Sequence, residues 1–165
     1  MKIAALLLTG LVCAGPVWAQ QIQLGDGGFG PARAEGGKSH VELLTDSIAV
    51  DAGKPQTVEL RFRVQPGFHI NSHKPKDELL IPTVLKLDAG GVKALDESYP
   101  AGAAFKLPVG GTVLDVYQNE FRVIVRVVAQ RGQSTMTGSL RYQACDNAAC
   151  YPPKTLAVKV ALTGR

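Results

Sequence analysis

Tryptophan is almost missing from this chain. The one copy, Trp18, sits in the first nineteen residues, and aromatic residues make up only 6% of the 165. That argues against an antibody-type domain, which packs a buried tryptophan on a long-range disulfide. Charge of one sign is missing too: 18 Lys and Arg face 14 Asp and Glu, scattered along the chain, and Lys2 at the amino terminus supplies part of the formal net +4. So weak and dispersed a field gives no reason to expect nucleic acid or an anionic membrane as partner. No stretch shows a helical period with caps, and no glycine-rich phosphate loop, serine elbow or shaped pair of carboxylates is present. Internal repeats are absent as well.

Long apolar runs are missing beyond residues 3–12, about half of the roughly 20 residues that a membrane span requires. Lys2 before this run and Val17-Trp18-Ala19 after it make residues 1–19 read as a secretory signal. Cys13 follows Val12, where a lipoprotein motif has a small residue, so it is expected to leave with the signal. Residues 20–38, with Gly25, Gly27, Gly28, Gly30, Gly36 and Gly37, have no apolar period and read as a mobile leader. One domain over 39–165 is expected to follow, exported, soluble and without a further membrane span. It is long enough for its own core.

What the domain does have is a period of two. Val58, Leu60, Phe62 and Val64 alternate with Glu59, Arg61 and Arg63. Phe121, Val123, Val125 and Val127 oppose Arg122 and Arg126, and Leu156, Val158, Val160 and Leu162 repeat the pattern. Each reads as a strand with one wet face. Weaker strand signals lie at 41–50, 83–87 and 135–144, with turn clusters at 51–55, 65–67, 88–91 and 131–133. The fold class expected is all-β, an immunoglobulin-like antiparallel β-sandwich.

The chemistry-bearing feature is the segment Tyr142-Gln143-Ala144-Cys145-Asp146-Asn147-Ala148-Ala149-Cys150-Tyr151-Pro152-Pro153. Alternation from Leu140 through Tyr142 to Ala144 places Cys145 on the other face, with Arg141 and Gln143. Asp146-Asn147 is a good turn starter, and a hairpin end there brings Cys145 and Cys150 within disulfide reach. Pro152-Pro153 stiffens the exit. Two readings stay open, a structural staple and a redox switch. A loop of about six residues constrains the unfolded chain by only roughly 2 kcal/mol, which makes the staple energetically minor. The spacing also differs from the two intervening residues of a thioredoxin site.

Tyr142-Gln143-Ala144-Cys145 followed by Cys150-Tyr151-Pro152-Pro153 resembles the signature of the amino-terminal domain of the bacterial thiol:disulfide interchange protein DsbD. Pro66-Gly67-Phe68-His69-Ile70 and Val116-Tyr117-Gln118-Asn119-Glu120-Phe121 extend the similarity over roughly residues 40 to 163. The resemblance implies a periplasmic immunoglobulin-like domain that needs no cofactor. It would take electrons from a membrane-embedded thiol carrier (DsbD or CcdA-like) and pass them to periplasmic thioredoxin-like proteins. Cys150 would form the mixed disulfide with the partner and Cys145 would resolve it.

Two departures stand out. Relatives shield the cysteines with a loop carrying acidic and aromatic residues, expected here near 106–112, and this stretch has neither. Shielding would then rest on Leu107 and Val109. The family domain is usually fused to a membrane domain, so here a separate protein is expected to be the donor. His69 and Asn71 share a face if the chain there is extended. His69 is a candidate to tune a thiol or relay a proton, against the plainer role of a surface histidine at a strand end. Tyr142 and Tyr151 flank the loop as candidate shields, Tyr142 equally as core. Asp146 reads mainly as a turn former. A set of His69, His73, Cys145 and Cys150 has the right ligands for zinc or copper, but nothing in the sequence fixes its geometry. No metal is expected.

Overall fold

The computed structural model describes residues 39–165 except Ala89, Gly91 and Val109. The signal, the leader and Val109 lie outside the described residues. All regular structure described is strand. In chain order the strands are β1 (Val41–Leu43), β2 (Ser47–Val50), β3 (Gln56–Val64), β4 (His69–Asn71), β5 (Val84–Leu87), β6 (Val92–Ser98), β7 (Ala103–Lys106), β8 (Val113–Tyr117), β9 (Glu120–Ala129), β10 (Gly132–Tyr142), β11 (Ala144–Cys145) and β12 (Lys154–Gly164).

Three four-stranded sheets result, ordered β1-β3-β9-β6, β2-β12-β10-β5 and β11-β4-β8-β7. The first two carry the strongest alternation and face each other across the core. Leu60, Phe62, Val123 and Val125 from one meet Leu140, Val158, Val160 and Leu162 from the other, all buried. Burying each such side chain contributes about 1.5–3 kcal/mol. Phe62 lies opposite Phe121 in register, with ring centroids 5.2 Å apart. On the wet face of the same ladder Arg61 and Arg63 share the Glu120 carboxylate, each at 2.8 Å. The architecture is the expected immunoglobulin-like sandwich.

The expected strand at 41–50 is divided in two. Residues 44–46 carry the chain from one sheet to the other, because Thr45 substitutes its hydroxyl for a backbone partner. Its Oγ1 accepts from the Arg61 amide at 2.8 Å, beside the Leu44 amide donating to the Arg61 carbonyl. After this crossing β2 runs parallel to β12, whereas the other ladders are antiparallel. β6 was not expected. It is an edge strand whose register slips between Ala94 and Asp96. Lys93, Asp96 and Glu97 along it blunt the open edge and hide its period.

The third sheet positions the cysteines. β10 ends at Tyr142, and the chain re-enters pairing two residues later as β11, now against β4. That change of sheet cancels the alternation read from Leu140. Cys145 does not lie on the polar face with Arg141. It is buried, 1% exposed.

Candidate functional site

The cysteine segment is a short hairpin end. Asp146 builds its turn by accepting from the amides of Ala148 at 2.7 Å and Ala149 at 2.8 Å through Oδ1, while its own amide donates to the Ala149 carbonyl at 2.9 Å. This is the local side-chain-to-backbone bonding that makes Asp a turn starter. The chain returns so that Cys145 and Cys150 form a bridge pair with Cα atoms 4.0 Å apart, and their sulfurs are bonded. The two sulfur-bearing residues differ in access. Cys150 is exposed and Cys145 is enclosed.

A polar clamp holds the entry and exit of this loop together. Asn71, wholly buried on β4, donates through Nδ2 to the Ile81 carbonyl at 3.0 Å and to the Gln143 side-chain oxygen at 3.3 Å. Gln143 donates in turn to the Tyr151 carbonyl at 3.2 Å, and the Tyr151 amide donates to the Ala144 carbonyl at 2.9 Å. Asn71 therefore reaches the disulfide through Gln143. The Tyr151 hydroxyl donates to Asp146 Oδ2 at 2.7 Å. That bond, with the two turn amides, holds the Asp146 carboxyl below its usual range and raises the Tyr151 phenol above its own.

Tyr151, the residue after Cys150, belongs to a group of three rings. Tyr151 lies with its centroid 5.5 Å from His40 and 5.8 Å from Phe68, and His40 stacks on Phe68 at 4.0 Å. Phe68 is presented by the 65–67 turn, where the Phe68 amide donates to the Gln65 carbonyl. Gly67 there has φ +84°, which a side chain would strain. His40 carried no signal in the sequence, since it stands before β1 outside any motif.

His69 is not a surface histidine at a strand end. It begins β4, paired in register with Cys145, and is 1% exposed. The turn at 65–67 folds β4 directly into the third sheet, so its first residue is covered at once. The Phe105 ring of β7 packs on it at 4.2 Å, and its Nε2 has no hydrogen-bond partner. Burial pushes the imidazole below its usual range, against a smaller opposing pull from the Asp146 carboxylate.

The aromatic ring that packs here comes from one residue before the 106–112 stretch, Phe105, and it lies on His69. Leu107 is half-buried at the tip of the β7–β8 hairpin, its amide donating to the Thr112 carbonyl at 2.9 Å. Tyr142 takes the core role. It is buried, and its hydroxyl meets Ser39 Oγ at 3.0 Å and accepts from the His40 amide at 3.2 Å. His73 does not join the cysteines either. It stacks on Tyr99 at 3.6 Å, bonds the Thr83 carbonyl through Nδ1, and lines a polar cleft of about 310 Å³ with Ser72, Asp115 and Tyr117. Among the described residues no three His, Cys, Asp or Glu side chains are grouped to hold a metal. The same residues contain no helix long and apolar enough to cross a membrane.

What this arrangement can do is exchange. Of the two bonded sulfur-bearing residues, Cys150 is the one open to solvent and Cys145 the one enclosed, and a disulfide is attacked by a thiolate at an accessible sulfur.

The family model for the N-terminal region of thiol:disulfide interchange protein DsbD matches residues 40–162. Solved structures that resemble the chain include the reduced DsbD N-terminal domain of Neisseria meningitidis. It is 24% identical with a TM-score of 0.46, over 68% of this chain and 82% of that one. They also include the N-terminal periplasmic domain of ScsB from Proteus mirabilis, 15% identical with a TM-score of 0.49, over 72% of this chain and 43% of that one. No curated protein sequence matches.

Proposed function

The chain belongs to the DsbD N-terminal domain family of thiol:disulfide interchange proteins, and on that premise we propose that it is a periplasmic electron carrier working through Cys145 and Cys150. Reducing equivalents come from a membrane-embedded thiol carrier and go to thioredoxin-like proteins. The observation that carries this reading is the unequal exposure of the bonded pair, with Cys150 open and Cys145 buried.

In the loading half of the cycle a carrier thiolate attacks Cys150 Sγ, the intramolecular bond breaks, and Cys145 departs. The carrier's second thiol then releases Cys150, leaving both cysteines reduced. In the unloading half the Cys150 thiolate attacks the disulfide of a thioredoxin-like partner, forming a mixed disulfide. Cys145 closes on Cys150 and frees the partner as a dithiol. The half-buried rings of His40, Phe68 and Tyr151, the last next to Cys150 in the chain, are the apolar surface this reading assigns to the partner. Burial keeps Cys145 from competing for partners, so each encounter begins at Cys150.

The experiment is a redox equilibration of the oxidised protein with a reduced thioredoxin-like protein. A working disulfide exchanges and has a potential above about −300 mV. A bond that stays oxidised, with a potential below that value, belongs to a structural staple in a binding module and contradicts the proposal.

A further inference from the structure

This inference rests on the reading of Cys145 as the sulfur that closes the disulfide. Closure needs Cys145 as a thiolate, since the thiol is a poor nucleophile, and burial opposes that ionisation. With Cys145 1% exposed, bulk water is a poor acceptor for its proton. A group inside the protein must take it.

The structure offers one candidate directly opposite. Cys145 and His69 are register partners in the β11–β4 antiparallel pair, and such partners have Cβ atoms about 4.5–5.5 Å apart. His69 is as buried as Cys145, and its Nε2 is without a hydrogen-bond partner in the oxidised protein. Buried polar atoms are nearly always paired, so an orphan calls for a reason. Reducing the disulfide creates a buried S–H donor on the register partner of His69.

The surroundings keep the ring suited to accept. β7 covers it with the Phe105 ring. β11 brings Cys145 and, one residue on, the Asp146 carboxylate, the charge that acts on the imidazole. β8 pairs with Ile70 and Asn71 rather than with His69. Burial outweighs the carboxylate and favours the neutral ring. A neutral imidazole protonated at Nδ1 presents Nε2 as an acceptor.

We propose that His69 is the base of the resolving step, with Nε2 taking the Cys145 Sγ proton as that sulfur attacks Cys150. The Cys145–Cys150 bond forms while the bond between Cys150 and the partner sulfur breaks. This domain's dithiol gives up two electrons, the partner sulfur leaves as a thiolate, and the imidazolium returns the proton to it. In the opposite direction the imidazolium protonates Cys145 as it leaves.

The test follows the reduced protein reacting with 5,5′-dithiobis(2-nitrobenzoate). The first nitrothiobenzoate released reports attack by Cys150, and the second reports closure by Cys145. His69→Gln keeps a polar side chain and removes the base. The expected result near pH 6.5 is a second phase slowed by about tenfold or more, in line with general-base catalysis, with the first phase within about twofold. In the wild type the second phase should hold on acidification until the imidazole itself titrates. In His69→Gln it should fall about tenfold per pH unit below the thiol pKa.

A second phase unchanged by His69→Gln, or both phases slowed alike, overturns the proposal. Where the variant does not fold, the wild-type profile decides, and a plain tenfold-per-unit decline overturns it. A wild-type protein that releases only one nitrothiobenzoate overturns the exchange reading itself, and this proposal with it.

Discussion

Asn71 on β4 and Gln143 beside β11 are joined side chain to side chain at 3.3 Å, although 72 residues apart in sequence. Through Gln143 the bond continues to the carbonyl of Tyr151, so one amide pair spans both ends of the disulfide loop. Replacing Gln143 by Ala leaves the buried Asn71 short of an acceptor and the Tyr151 carbonyl short of a donor. The expected loss is about 1–3 kcal/mol, measured as a lower urea midpoint. Asn71→Ala should cost a similar amount, and the double variant less than the sum, because both changes break one network.

Asp146 supplies a pH dependence of known sign. Its folded pKa lies below the ordinary 3.8, so its contribution to stability is present above that value. It is lost as pH falls through the lower folded value. The Tyr151 phenol, raised above the ordinary 10.0, behaves oppositely: its contribution is present below that pH and lost as pH rises through the folded value. Urea midpoints of wild type and Asp146→Asn should differ at neutral pH and converge in acid.

Phe105 is the ring over His69, and its removal should open the enclosed side of the disulfide. In reduced Phe105→Ala, alkylation of Cys145 by iodoacetamide should accelerate severalfold while that of Cys150 changes little. Peptide mass spectrometry of the quenched protein reads the two sites separately.

Tyr142 tests the distinction between core and cover. Tyr142→Phe keeps the buried ring and removes the hydroxyl that meets Ser39 and His40, at a cost of about 1 kcal/mol. The rate of thiol exchange should stay within about twofold of wild type.

Much of this architecture is legible in the sequence, because β3, β9 and β12 each bury one face of a long ladder and so keep a clean period of two. β6 and β7 show little of it. They lie at sheet edges, where one side of the strand is open and charged or small residues serve as well as apolar ones. The cysteines, their spacing and the turn at Asp146 are readable from local chemistry alone. The environment of Cys145 is not, because the chain changes sheets at Gln143 and alternation cannot be carried across that break. His69, His40 and Phe105 join the site from three distant segments through strand register and ring stacking. Those relationships depend on tertiary pairing and leave no local pattern.

The central claim is that Cys150 meets the partner and Cys145 resolves. Its most direct test is disulfide trapping in the exporting cell with single-cysteine variants of the pair. Cys145→Ser should accumulate mixed disulfides of Cys150 with thioredoxin-like proteins and with a membrane thiol carrier, seen as reducible adducts on gels and identified by mass spectrometry. Cys150→Ser should accumulate few, because the remaining thiol is buried. Absence of adducts on Cys145→Ser, or an equal yield from both variants, would contradict the account.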